Sequence, residues 1–129
     1  MWKYIFPIFI LASSEAHAIT TEEKQGEAAG RYFGAIILAS EFSKTPCGKT
    51  ANLGDKLTNT NKAIENIKTK FNNIKASDLE KAFSKSEEQR QRKEMNELLA
   101  TMNLDNCDLA KKTIIQFIEK EIQNWQITK

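Results

Sequence analysis

A helical pattern of small and apolar residues fills the sequence before Pro46. Its members recur at spacings of three and four: Ala28, Ala29, Tyr32, Phe33, Ile36, Ile37, Ala39 and Phe42. That spacing gives an α-helix one wide buried face. Pro46 cannot continue a helix and disfavours helical geometry at the residue before it. We therefore predict a helix from Thr20 or Thr21 to Ser43 or Lys44, opened by a capping box of Thr20 and Glu23. We expect the rest of the chain to cover it.

Three glycines lie inside this predicted helix, at Gly26, Gly30 and Gly34. Each glycine lowers the stability of a helix by about 1 kcal/mol relative to alanine. Three of them in one helix therefore indicate that something packs close to this backbone. Two interpretations stay open. The glycines are packing spacers within one bundle, or they form a helix-contact stripe that another helix approaches closely, within the fold or across a homodimer.

The remaining sequence predicts three further helices. The second spans about Gly54 to Lys75, the third opens with a capping box at Ser77 to Glu80, and the fourth opens at Asp105 or Asn106. The apolar seam of the second contains Leu57, Thr60, Ile64, Ile67, Phe71 and Ile74. The buried face of the fourth contains Cys107, Ala110, Ile114, Phe117, Ile118, Ile122 and Trp125. These patterns predict an all-α fold, a four-helix antiparallel bundle that forms a single helical domain over residues 19–129.

A polar run over residues 84–96 interrupts the apolar pattern of the third helix. The simplest interpretation is a solvated helix held by pairs such as Glu88 with Arg92. Alternatively the helix projects beyond the bundle, breaks near Ser86, or meets a polar partner. The candidate partner surface consists of Glu88, Arg90, Arg92 and Trp125, although a large aromatic side chain is more often core.

The first 18 residues have the pattern of an export signal peptide. A short basic start precedes an apolar run over residues 5–12, and Ala16-His17-Ala18 fits a signal-peptidase site. The apolar run is shorter than the roughly 20 residues of a permanent span. We expect cleavage after Ala18, no stable membrane span afterwards, and a periplasmic or secreted product.

An exported chain with two cysteines, Cys47 and Cys107, predicts one disulfide. Free thiols, an intermolecular bridge and a catalytic pair are the rival interpretations. In an up-down-up-down bundle the end of the first helix and the start of the fourth lie at the same pole, where the bridge fits. A loop this long gives a stabilisation of roughly 4 kcal/mol.

Residue content limits the chemistry that this chain can perform. His17 is the only histidine and would be removed with the leader, which excludes histidine bases and histidine-ligated zinc or haem. Glu22, Glu23, Glu27 and Glu41 remain as carboxylates, and nothing in the sequence marks one as buried. Phosphate-binding and calcium-binding loops are absent from the sequence. The net charge of +2 is too weak and mixed for nucleic acid. We predict a non-enzyme without cofactor or metal.

With its leader, helical pattern and single predicted disulfide, the chain resembles small periplasmic helical proteins that accompany bacterial secretion and conjugation systems. The resemblance implies an immunity or accessory protein that binds another protein, or itself as a homodimer. Two other functions stay open. One is an envelope-stress chaperone. The other is a lipid or small-ligand carrier with a cavity lined by Phe33, Phe71, Phe83 and Phe117.

Overall fold

The computed structural model describes residues 21–102 and 105–128, and all regular secondary structure in these ranges is helical. Its helices are, in chain order, α1 (Thr21–Ser43), α2 (Pro46–Ala51), α3 (Asp55–Thr58), α4 (Thr60–Lys70), α5 (Ala76–Ala82), α6 (Lys85–Thr101) and α7 (Cys107–Ile127). The all-α prediction is confirmed. The predicted leader and the capping residue Thr20 lie outside the described residues.

Helix α1 is the central element of the fold. It packs against α2, α3, α4, α6 and α7, and every residue from 35 to 42 is buried. A surface helix would bury only one stripe of its side chains. Because α1 is covered from several sides, the other helices are arranged around it.

The predicted end of α1 is confirmed, and Pro46 also begins the next helix. Thr45 has an extended backbone, and its Oγ1 accepts a hydrogen bond of 3.0 Å from the amide of Gly48. A hydroxyl cap followed by proline is a favoured helix start, because proline has no amide hydrogen to leave unpaired. Helix α2 ends at Ala51, and its C-cap residue Asn52 has a left-handed φ of 55°.

The core consists of two clusters along α1. The first surrounds its amino-terminal half and contains the aromatic residues Tyr32, Phe33, Phe71, Phe83 and Trp125. The second surrounds its carboxyl-terminal half and contains Leu38, Phe42, Cys47, Leu99, Ile114 and Ile118. Met95 and Ile122 pack against both clusters, so the core is continuous from end to end.

The predicted second helix, Gly54 to Lys75, is wrong in its length and its continuity. The chain forms α3 and α4 instead, separated at Asn59, and α4 ends before Phe71. The Asn59 side chain accepts hydrogen bonds from the amides of Asn61 and Lys62. Asparagine competes with the helix by bonding nearby backbone in this way, which makes it a helix start here.

The predicted third helix is also two helices. Ser77 lies inside α5 rather than capping it, since the N-cap position is Lys75. The break falls at Phe83 and Ser84, close to the alternative break near Ser86. Ser84 Oγ accepts from the amide of Glu87 and so caps α6, while the Phe83 ring is buried against Phe33 at a centroid distance of 4.7 Å.

The predicted start of the fourth helix is confirmed, and so is the disulfide. Asn106 Oδ1 accepts a hydrogen bond of 3.1 Å from the amide of Leu109 and caps α7. Cys47 of α2 and Cys107 of α7 are bridged, with their Cα atoms 5.2 Å apart. Within the described ranges, no helix combines the length and apolar composition that a bilayer crossing needs.

Candidate functional site

A groove of about 310 Å³ opens between α6 and α7, with α1 as its floor. Helices α6 and α7 each pack against α1 more extensively than against one another. The cleft between them therefore reaches down to the glycine-bearing face of α1. Its apolar lining comes from Ala35, Phe83, Met95 and Phe117.

Gly30 and Gly34 form part of the groove floor. A Cβ atom placed on Gly34 would come no closer than 4.0 Å to its nearest neighbours, Oε1 of Gln91 and Cε of Met95. That is ordinary van der Waals distance from the ends of flexible side chains. Packing within this chain therefore does not require glycine at position 34.

The third member of the predicted stripe lies elsewhere. Gly26 lines a separate hollow of about 190 Å³, together with Glu22, Ala29 and Ile74. The three glycines are therefore not one continuous contact surface. The structure brings only Gly30 and Gly34 into the groove.

Phe117 is the side chain whose position differs most from its prediction. The sequence placed it on the buried face of the fourth helix, but it is 48% exposed and forms part of the groove wall. It lies at the edge of the α7 stripe and remains half-exposed, because α6 and α7 pack mainly on α1 and little on one another. Leu98 is 50% exposed and follows Gln91 and Glu94 at spacings of seven and four, on the same side of α6. Phe117 is thus the half-exposed apolar side chain of the groove lining, and Leu98 lies beyond the groove, one turn after Glu94 on α6.

Charged side chains of both signs form the rim. Arg90, one of the predicted partner-surface residues, lines the groove and forms ion pairs with Glu87 and Glu94 along α6. The hydrogen bond from Arg90 to Glu87 raises the pKa of the Arg90 guanidinium above its ordinary value, so Arg90 stays positively charged. Across the groove, Nε of Arg31 lies 3.8 Å from Oε1 of Glu121.

The predicted pair of Glu88 and Arg92 forms, but on a different side of α6 and within the fold. Arg92 Nη2 lies 2.9 Å from Glu88 Oε2, and Arg92 Nη1 lies 2.6 Å from Glu41 Oε2 of α1. Arg92 also donates to Ser40 Oγ, and Thr60 Oγ1 of α4 donates to Glu88. The polar face of α6 therefore finds its polar partner inside this chain.

Glu41 is the buried carboxylate that the sequence did not identify. Its side chain is 3% exposed, although it was grouped with three glutamates that nothing marked as buried. Burial alone would raise its pKa, but hydrogen bonds from Lys44, Arg92 and Asn96 outweigh burial and hold the pKa below its ordinary value. Its spacing of four from Ile37, in the row that also holds Phe33, was the available signal.

Trp125, also a candidate for the partner surface, belongs to the core. It is 8% exposed, stacks on Tyr32 at a centroid distance of 4.5 Å, and meets Phe71 edge to face at 5.2 Å. The ammonium of Lys70 lies over its ring. Aromatic contacts of this kind stabilise packing and leave little of the ring for a partner.

A larger and more polar cleft, of about 600 Å³, lies between α7 and the segment of α3 and α4. Lysine and asparagine side chains form much of its lining, and its aromatic members, Tyr32 and Trp125, are stacked on each other. The four phenylalanines that were expected to line one cavity in a carrier do not line the same cavity. Phe33 and Phe71 are buried in the core, while Phe83 and Phe117 reach the groove.

Metal-binding groups and relatives give no further assignment. The described residues hold no set of three or more His, Cys, Asp or Glu side chains placed to share a metal ion. Comparison of the chain with protein-family models, with curated proteins and with solved structures finds no match.

Proposed function

We propose that this chain is an exported, non-enzymatic binding protein that receives a protein segment in the groove between α6 and α7. The half-exposed Phe117 supports the proposal most strongly. A large aromatic side chain that is left beside a concave surface is typical of an interface anchor. The groove floor carries no Cβ at Gly34, and only the flexible ends of Gln91 and Met95 border that space, at 4.0 Å.

The lining of the groove favours a protein over a small polar ligand. Ala35, Phe83, Met95 and Phe117 give an apolar centre, and arginines and glutamates surround it. An apolar centre with a polar rim is the usual composition of protein interfaces, in which methionine, aromatic residues and arginine are enriched. Methionine also adapts its shape to the side chain that it meets.

The compartment and the architecture belong to the same proposal. We infer that residues 1–18 are a signal peptide and that the mature chain works in the bacterial periplasm, where disulfides form and persist. The bridge between Cys47 and Cys107 supports an oxidising compartment. The longer helices α1, α4, α6 and α7 would then form the antiparallel bundle, with the bridge joining the end of the α1 segment to the start of α7.

Within that compartment, we propose the role of an immunity or accessory protein of a secretion or conjugation system. This role rests on the resemblance in leader, helical pattern and disulfide. It requires a protein partner rather than a reaction, and the groove offers a surface for one.

Photo-crosslinking in living cells tests the groove. Phe117 is replaced by a photoreactive phenylalanine analogue, and the same analogue at Leu109 is the matched control. Leu109 lies on the same helix, is 60% exposed and does not line the groove. We expect a protein adduct at position 117 that is absent at position 109, identified by mass spectrometry. Equal labelling at both positions, or none at 117, would refute the groove as the binding surface.

The same purified protein tests export. Its intact mass should correspond to a chain that begins at Ile19 and contains one disulfide bond. A mass that retains residues 1–18 would contradict cleavage of the leader.

A further inference from the structure

We infer that the segment received by the groove is helix α7 of a second copy, so that two chains form a twofold-symmetric dimer. This inference rests on the proposed function, because it names the occupant of the same groove. It depends on four observations: the half-exposed Phe117 in the groove, the glycine at position 34, the balanced charge of the rim, and the position of the groove near the middle of α1, α6 and α7.

The groove contains both halves of a self-complementary contact. Phe117 lies on the α7 wall of the groove and is 48% exposed, and the floor of the same groove contains Gly30 and Gly34. In a twofold interface the same patch serves both partners, so a contact from one copy to the other is repeated in reverse. Phe117 of each copy would enter the groove of the other. Each ring would then be buried in the groove of the other chain.

The glycine at position 34 supports a close approach from outside the chain. It keeps a helix cost of about 1 kcal/mol relative to alanine, and its nearest neighbours within the chain lie 4.0 Å from a Cβ placed there. The missing Cβ leaves the space of one methyl group, against which the edge of an incoming aromatic ring would pack, beside the flexible ends of Gln91 and Met95. We expect alanine at position 34 to weaken this contact between copies and leucine to block it.

The rim charges suit a copy of the same surface. Arg31 and Arg90 line the groove together with Glu94 and Glu121, so the rim carries two charges of each sign. A rim of one sign would repel its own copy, whereas a balanced rim can place arginine of one chain opposite glutamate of the other. Arg31 is well placed for this, since its side chain is 61% exposed and its contact with Glu121 is long, at 3.8 Å.

The position of the groove gives the two copies a broad overlap. Its lining residues lie near the middle of each helix: Gly30 and Gly34 in α1, Gln91 in α6 and Phe117 in α7. Two chains related by an axis through this point would lay their α6 and α7 walls against one another. Leu98, 50% exposed on the α6 side, would then be covered as well.

Sedimentation equilibrium of the purified mature protein over a wide concentration range tests the inference. We expect a monomer–dimer equilibrium in the wild-type protein. Phe117→Asp and Gly34→Leu should each weaken self-association by roughly tenfold or more, the effect of losing a buried aromatic anchor. Leu109→Asp makes a comparable apolar-to-acidic change on an exposed site outside the groove, and it should leave the equilibrium unchanged. Far-ultraviolet circular dichroism of each variant establishes that it is folded.

The outcomes separate this inference from the proposed function. A wild-type protein that stays monomeric, or a dimer that Phe117→Asp leaves intact, overturns the homodimer. If the purified protein is monomeric while position 117 crosslinks to a different protein in cells, the groove function stands and the second copy is excluded. If the peptides crosslinked to position 117 come from a second copy of this chain and Phe117→Asp abolishes the dimer, the groove function and the homodimer are both supported.

Discussion

Alanine substitution at two helical glycines, Gly34 and Gly48, should change stability in opposite directions. At Gly34 the new methyl group would meet side-chain atoms no closer than 4.0 Å. Alanine removes the helix cost of glycine, so Gly34→Ala should raise the free energy of unfolding by about 1 kcal/mol. For a domain of this size, that gain raises the unfolding temperature by roughly 4 °C.

At Gly48 the same methyl group has no room. It would lie 1.7 Å from the carbonyl oxygen of Phe42 and 2.8 Å from the Cα atom of Ser43, both backbone atoms. Relief requires the end of α1 and the start of α2 to move apart, which disturbs the Thr45 cap between them. We expect Gly48→Ala to lower the free energy of unfolding by roughly 2–3 kcal/mol, a typical cost of overpacking.

Thermal unfolding of both variants, followed by circular dichroism with the disulfide intact, measures the two effects side by side. A low protein concentration keeps any self-association small. A Gly34→Ala protein that melts below the wild type would show that position 34 needs glycine for packing within the chain. The argument that its space serves a partner would then fail. A Gly48→Ala protein as stable as the wild type would contradict the close approach of α1 and α2.

Three further predictions concern the buried ion pair and the disulfide. Arg92→Met should destabilise the fold by roughly 2 kcal/mol, because buried Glu41 would keep Lys44 but lose its ion pair to α6; Glu41→Gln combined with Arg92→Met should recover much of that loss in urea unfolding. Because the pKa of Glu41 is lowered in the folded protein, its contribution is complete above the unfolded value of 4.5 and is lost as the pH falls below it. The unfolding free energy of Glu41→Gln should therefore depend less on pH in this acid range than that of the wild type, and parallel pH profiles would contradict it. Replacing Cys47 and Cys107 with serine should cost roughly 4 kcal/mol in guanidinium unfolding, because their bridge spans 60 positions of sequence, and a loss below 1 kcal/mol would contradict this loop-entropy reasoning.

Local signals predicted the boundaries that depend on a single strong residue. Pro46 fixes the end of α1 because its ring excludes a continuing helix, and Asn106 starts α7 because its side chain satisfies an exposed amide. The disulfide followed from the order of the helices and the positions of the two cysteines. These features need little knowledge of what lies across the fold.

Boundaries that depend on competition between two weak preferences were not predictable. Asn59 occurs in a helical pattern whose outer face contains several asparagines, and nothing local distinguishes it from the others. Its side chain caps α4 because the chain turns there to bring α3 and α4 against α1. Tertiary packing decided between two acceptable local conformations.

The candidate site was predictable in its parts but not in its arrangement. Gly30, Gly34 and Arg90 were identified from sequence, yet Phe117 was assigned to the core because helical periodicity reports direction and not distance. Whether a side chain at the edge of a stripe is covered depends on how far α6 lies from α7. The burial of Glu41 likewise depends on Arg92, which lies 51 positions away in sequence. Contacts over such separations leave no local pattern.

The bridge between Cys47 and Cys107 also gives the molecule a ring topology. Helices α3, α4, α5 and α6 all lie in the covalently closed part of the chain. A protease that cuts one peptide bond anywhere in this part would leave the two fragments joined, with α1 and α7 still held on the same molecule. The nicked protein would keep its mass, apart from one added water, until a reducing agent released the pieces.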